Sequence, residues 1–181
     1  SSQAPVTALW APAPIQSFCW RIEQQIGEGG FGAVYRGLQL ATGRKVALKL
    51  LHPQLSFDRT FAERFRREAR AACKIGHRNI VDVFDFGRTE DGRLFYVMEL
   101  LSGGSLQDRI EGTGAFDQVR AIRILLQVCD ALDAAHEVSV VHRDLKPDNI
   151  MLTVEDDGTE LVRVVDFGIA QDGTSNAARV T

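Results

Sequence analysis

The run Gly27-Glu28-Gly29-Gly30-Phe31-Gly32 is the feature that most limits what this chain can fold into. Glycine has no Cβ, so a backbone rich in it can approach a ligand closely and turn successive N–H groups toward oxygen atoms. The spacing G-x-G-x-x-G alone fits a plain hairpin turn, a dinucleotide-binding turn or a flap over phosphates. The residues after the last glycine separate these possibilities, because the dinucleotide version opens a helix there. Here Val34-Tyr35-Arg36 comes next, then a Thr42-Gly43 turn and the β-rich stretch Lys45–Leu51. With Ile22–Ile26 ahead of the glycines, this region reads as an antiparallel meander carrying a strand–loop–strand flap.

The rest of the chain changes period. Residues 58–75 read as a helix, with Asp58 or Thr60 as cap and Phe61, Phe65, Ala69, Ala72 and Ile75 at helical spacing. Two more strands, Ile80–Phe86 and Leu94–Leu100, flank the turn Glu90-Asp91-Gly92. Helices then dominate: a short one at Ser105–Ile110 and a long one at Asp117–His136, with Val119, Ile122, Leu125, Val128, Leu132 and Ala135 assigned to one face. Short strands at Asn149–Thr153 and Leu161–Val165 enclose Asp156-Asp157-Gly158. Residues 1–17, rich in Ala, Pro and Ser, read as a flexible leader or linker. The expected fold is α+β: a small antiparallel β lobe with one helix at about 18–101, then the beginning of a mainly helical lobe at 102–181, joined near Glu99–Gly104.

Composition narrows the function classes. A net charge of -3 gives no basic excess for nucleic acid or an anionic membrane. Cys19, Cys73 and Cys129 are odd in number, far apart and without a CxxC spacing, which argues against a disulfide framework or zinc site. No apolar run reaches the length of a membrane span, and no basic-then-apolar signal opens the chain.

Three further motifs carry chemistry. Val46-Ala47-Leu48-Lys49 puts a lysine in an apolar strand, and a buried ammonium needs a carboxylate; Glu68, 19 residues on and inside the predicted helix, is a candidate. Val141-His142-Arg143-Asp144-Leu145-Lys146-Pro147-Asp148-Asn149 crowds polar groups between an apolar helix and a strand. Asp166-Phe167-Gly168 comes directly after an apolar strand, 22 residues after Asp144.

Taken in order, these motifs resemble the eukaryotic-type (Hanks-type) protein kinases, serine/threonine branch, and bacterial members in particular. The resemblance runs from about Trp20 to Thr181. It implies that ATP is bound by Ile26, Gly27, Glu28, Gly29, Gly30, Phe31, Gly32, Ala33 and Val34. Ala47, Met98, Glu99, Leu101 and Met151 would hold the adenine, and Lys49 the phosphates, with Glu68 holding Lys49. It further implies that Asn149 and Asp166 bind Mg2+, with Mn2+ as an alternative. Asp144 would accept the substrate hydroxyl's proton, and Lys146 would neutralise the transferred phosphoryl group. Val83, Ala72, Phe167 and His142 would stack between the lobes. Arg143 would bind a phosphate on the activation segment, with Thr174, Ser175 and Thr181 as candidate acceptors and Thr181 preferred.

The expected partners are protein substrates and ATP, with self-association or trans-autophosphorylation besides. Nucleic acid and membrane contact by this segment are not expected. The expected location is the cytoplasm, or the cytoplasmic side of a membrane if an anchor lies elsewhere. The resemblance stops inside the activation segment. The long helix is therefore expected to leave an apolar face open, and the 181 residues alone to bind ATP weakly and phosphorylate peptides poorly. Two rival readings remain: an ATP-binding pseudokinase or scaffold, which truncation favours and the complete catalytic set disfavours, and a dinucleotide-dependent oxidoreductase, which needs a helix after Gly32.

Overall fold

The structure is a computed structural model that describes residues 19–167, with Glu68 described through its backbone alone. The leader, Gly168, Thr174, Ser175 and Thr181 lie outside the described residues.

The glycine cluster forms a hairpin. β1 (Trp20–Gly29) pairs antiparallel with β2 (Gly32–Gln39), with Gly29 opposite Gly32. A strand and not a helix begins at Gly32, which removes the dinucleotide-type turn. A Cβ at Gly32 would lie 2.8 Å from Leu51 Cα and closer still to the Leu50 carbonyl oxygen, so only glycine permits this approach. β3 (Lys45–Leu51), β4 (Val83–Arg88) and β5 (Leu94–Glu99) complete an antiparallel sheet of order β1-β2-β3-β5-β4.

Alternation divides the sheet's two faces. Val46, Leu48, Leu50, Phe95 and Val97 pack with Trp20 and Tyr35 on one face. Ala47, Leu51, Leu94, Tyr96 and Met98 pack on the other against Phe61, Ala62, Phe65 and Ala72 of α2 (Arg59–Ala72). Asp58 caps α2 by accepting from the Phe61 N–H at 2.8 Å. The helix stops short of the expected residue 75, because the chain tightens into i→i+3 bonds, Lys74 to Ala71 and Ile75 to Ala72, that turn Ile75 into the core. A short helix that the sequence pattern did not suggest, α1 (Pro53–Phe57), precedes α2. Its fully buried Ser56 donates to the His52 carbonyl and accepts from Leu94 N–H.

The second lobe holds β6 (Gly104–Ser105), α3 (Leu106–Thr113), α4 (Gln118–Glu137), β7 (Ile150–Val154) and β8 (Glu160–Val164), with sheet order β6-β7-β8. Ser105 and Asp108 form a reciprocal capping box on α3, and Asp117 caps α4. The buried stripe of α4 is Ile124, Val128, Ala131 and Ala135, packed on Ile150, Leu152, Val162 and Val164.

The structure buries a different face of α4 from the one that the apolar spacing suggests. Val119, Ile122 and Leu125 are about half exposed or more, at 59%, 48% and 58%. A step of three residues turns a helix by about 300°, so each step falls back about 60° and Val119 ends up opposite Val128.

The lobes meet where residues 79–81 dock on β8. Val164 N–H donates to the Asn79 carbonyl and Val81 N–H to that of Val164. The buried Asn79 amide also donates to Gln127 Oε1 and to the Val162 carbonyl, each at 2.9 Å. This pairing is why β4 starts at Val83 rather than at Ile80.

Candidate active site

Between the glycine hairpin and the second lobe lies a cleft of about 490 Å3. The first lobe contributes Ile26 through Gly32, Val34, Ala47, Lys49 and Met98. Glu99 and Leu101 line the connection, and Asp144, Lys146, Asn149, Met151 and Asp166 line the opposite side. Of the residues that the motifs assigned to catalysis, nucleotide or metal and whose side chains are described, all line the cleft except Ala33. Ala33 falls on the other phase of β2 and packs with the outer-face cluster. Glu68 sits in α2, and its side chain lies outside what is described. A second concavity, about 510 Å3, runs along α2 beside Val138; among the described residues it gathers Arg66, Arg67, Arg70 and Lys74 with the Glu63 carboxylate.

The loop after α4 is built by its own hydrogen bonds. His142 is buried; its Nε2 donates to the Val165 carbonyl at 2.9 Å, and its Nδ1 accepts from Asp144 N–H at 3.3 Å. Those partners require a neutral ring protonated on Nε2. Burial holds its pKa below the ordinary value, against the opposing effect of the Val165 hydrogen bond and the charges of Asp166 and Asp144. The Asn149 amide nitrogen donates to the Asp144 carbonyl at 2.8 Å, and Val165 N–H donates to the Asn149 carbonyl at 3.0 Å. Lys146 Nζ lies 3.1 Å from Asp144 Oδ2. Arg143 and Asp166 both adopt left-handed backbone, at φ 63 and 60, a conformation unfavourable for residues with a Cβ.

Asp166 is held from the first lobe. Lys49 Nζ pairs with Oδ2, and the Tyr96 hydroxyl donates to Oδ1. Burial first, then the Asp166 charge and that hydrogen bond, raise the Tyr96 phenol well above its ordinary pKa and keep it a donor. Tyr96 was not among the sequence candidates, since it sits in an apolar run that reads as core. Val81, Leu100, Ser105, Asp108, Asp148 and Val165 also line the cleft without having been singled out. Of the expected inter-lobe stack, Ala72 and Val83 share the α2 cluster, and the His142 and Phe167 rings lie 4.7 Å apart.

Among the described residues, no group of three or more His, Cys, Asp or Glu side chains forms a metal cage. Asp166 and Asn149 fit a different pattern. Mg2+ takes one or two protein oxygens and completes its shell with water and phosphate. With the Asn149 amide nitrogen engaged by Asp144, the polar group left on that amide is its oxygen.

A family model described as the protein kinase domain matches residues 20–181. The chain is 44% identical over 168 residues to the serine/threonine-protein kinase pkn3 of Myxococcus xanthus, covering 91% of this chain and 30% of that protein. It is 42% identical over 169 residues to Pkn1 of the same organism, covering 93% and 24%. The chain thus spans less than a third of the length of these relatives. Among solved structures, a double mutant of the Mycobacterium tuberculosis PknI kinase domain aligns at a TM-score of 0.78 with 29% identity, covering 92% of this chain and 66% of that one. The architecture is the two-lobed protein-kinase-like fold, and the chain belongs to the protein kinase family, with bacterial Hanks-type serine/threonine kinases as its relatives.

Proposed function

We propose that this cleft transfers the γ-phosphoryl group of ATP to serine and threonine hydroxyls of proteins. The observation that carries the reading is convergence. Lys49, Asp144, Asn149 and Asp166 come from three separate stretches of sequence and line one cleft under a glycine hairpin. Such transfer needs positioning and charge neutralisation more than covalent participation by the protein.

In this reading Val34, Ala47 and Met151 enclose the adenine, with Met98 behind it. The Glu99 N–H already donates to the Asp82 carbonyl at 2.9 Å, so the base's edge falls to the remaining backbone of Glu99 to Leu101. The hairpin from Ile26 to Val34 covers the phosphates, and Lys49 contacts them, with Glu68 as its expected second partner. Asp166 and the Asn149 amide oxygen would hold Mg2+ or Mn2+, which supplies charge neutralisation at the phosphates. Asp144 orients the substrate hydroxyl and takes its proton; Lys146, already beside it, stabilises the transferred group.

Regulation by phosphorylation at Thr174, Ser175 or Thr181, read out by Arg143, belongs to the same proposal, as does trans-autophosphorylation. So do the division into a leader at 1–17 and a kinase domain at 18–181, and a location on the cytoplasmic side, where ATP is. No helix among the described residues is long and apolar enough to cross a membrane. No observation favours the scaffold alternative.

The test is incubation with Mg2+ and γ-labelled ATP beside an Asp144→Asn variant, in this chain and in a longer one carrying a complete second lobe. Label on serine or threonine that is lost in the variant is the expected result. ATP binding without any transfer in the longer chain would overturn the reading.

A further inference from the structure

β5 sets Tyr96 directly opposite Lys49 of β3. Its ring is 2% exposed and tilts against Phe65 of α2, with centroids 6.3 Å apart. For packing alone, phenylalanine would fill this place with the same ring and no hydroxyl to desolvate. A buried hydroxyl is unfavourable unless it is hydrogen-bonded. Here it donates to Oδ1 of Asp166, while Lys49 holds Oδ2. Two cross-strand neighbours of one lobe therefore fix both oxygens of a single carboxylate just past β8 in the other lobe.

That carboxylate needs fixing. Its backbone sits at φ 60, and its side chain remains a quarter exposed, at 25%. Each carboxylate oxygen has two lone pairs, so one hydrogen bond on each leaves acceptor capacity on both. Tyr96 does not line the cleft, so its hydroxyl reaches a ligand only through Asp166.

We propose that Tyr96 is a positioning residue for metal–nucleotide binding, its hydroxyl orienting the Asp166 carboxylate toward the cation. The proposal rests on the reading of Asp166 as a metal ligand. It makes a prediction that a general packing role does not: loss of the hydroxyl weakens metal-dependent binding and leaves metal-free binding alone.

The experiment compares this chain with its Tyr96→Phe and Asp166→Asn variants. A fluorescent ATP analogue is titrated in EDTA and then across a Mn2+ series, with bound Mn2+ followed by electron paramagnetic resonance. Tyr96→Phe should match the unsubstituted chain in EDTA. It should need about tenfold more Mn2+ for half of the metal-dependent gain, the equivalent of one hydrogen bond to a charged group, and recover fully at saturating Mn2+. Asp166→Asn should lose the gain at every Mn2+ concentration.

A Tyr96→Phe midpoint within about twofold of the unsubstituted chain, with the gain lost in Asp166→Asn, overturns the role of Tyr96 and leaves that of Asp166 standing. A gain that survives in Asp166→Asn overturns both. An equal loss of affinity with and without Mn2+ assigns the hydroxyl to structure alone and also overturns the proposal.

Discussion

Acidification should destabilise this chain in part through one imidazole, that of His142. The ring is 2% exposed, accepts from Asp144 N–H at Nδ1 and donates to the Val165 carbonyl from Nε2. A second proton would have to enter at Nδ1, facing another donor. Burial accordingly holds the folded-state pKa below the ordinary 6.5. Between the lowered value and 6.5 the unfolded chain binds this proton and the folded chain does not, so by linkage the unfolded state gains as pH falls. The contribution of His142 is complete above pH 6.5, declines below it, and levels off once pH passes the folded-state pKa.

One proton limits the slope to about 1.4 kcal/mol per pH unit. Urea titrations followed by far-ultraviolet circular dichroism, which reports both lobes, isolate this slope as the difference between the unsubstituted chain and a His142 variant across neutral to mildly acidic pH. His142→Phe should lower stability throughout by about 1–3 kcal/mol, because the Val165 carbonyl loses its donor. It should also flatten the slope relative to the unsubstituted chain. Equal slopes in the two chains, or stability that rises on acidification, would refute the tautomer and burial argument.

Three other substitutions have expected outcomes. Gly32→Ala should destabilise by about 1–3 kcal/mol in urea unfolding, since its Cβ meets Leu50 and Leu51 backbone that only strand separation can relieve; a change under about 0.5 kcal/mol would contradict the register. Asn79→Ala should cost about 1–3 kcal/mol by removing the donor to the buried Val162 carbonyl and to Gln127, with faster amide exchange at residues 79–81 and in β8 as its signature. Arg163→Met removes the ion pair to Glu99 and a 3.0 Å bond to the Arg78 carbonyl. Because Glu99 is a third exposed and Arg163 Nε is buried without a hydrogen-bond partner among the described residues, the loss should fall near the low end of about 1.5–3 kcal/mol, and no measurable loss would show the clamp to be neutral.

What could be read from the sequence depended on the range of the signal. Lys45–Leu51 was legible as a strand, and the structure turns Val46, Leu48 and Leu50 one way and Ala47 and Leu51 the other, because side-chain direction in a strand is a local property. The groups between His142 and Asn149 were legible because they lie within one loop. Tyr96 was not, since its partner is 70 residues away and nothing in an apolar run marks one hydroxyl as engaged. For Lys49, the sequence offered Glu68, whose side chain lies outside what is described, and it gave no sign of the carboxylate that the structure does place on Lys49, Asp166, 117 residues away. The buried face of α4 was misassigned because apolar residues lie almost all round that helix. Only the position of β7 and β8 selects Ile124, Val128, Ala131 and Ala135.

The two left-handed residues beside the chemistry, Arg143 and Asp166, explain why the site is polar inside when the fold around it is not. Each departs from favoured backbone by about 1–2 kcal/mol, which apolar packing cannot offset because it is non-directional. The compensation is a short closed network. His142 links the Val165 carbonyl to Asp144 N–H, Asn149 links the Asp144 carbonyl to Val165 N–H, and the Asp144 and Asp166 segments are thereby tied at adjoining residues. The relative placement of the two segments that carry these carboxylates is set by these bonds and not by the cluster beneath them. Substitution at Asn149 or His142 should therefore disturb nucleotide and metal binding at denaturant concentrations where Trp20 fluorescence still reports a folded first lobe. If binding and Trp20 fluorescence were lost together in those variants, the site would be no more than an extension of the core, and the strain at Arg143 and Asp166 would need another explanation.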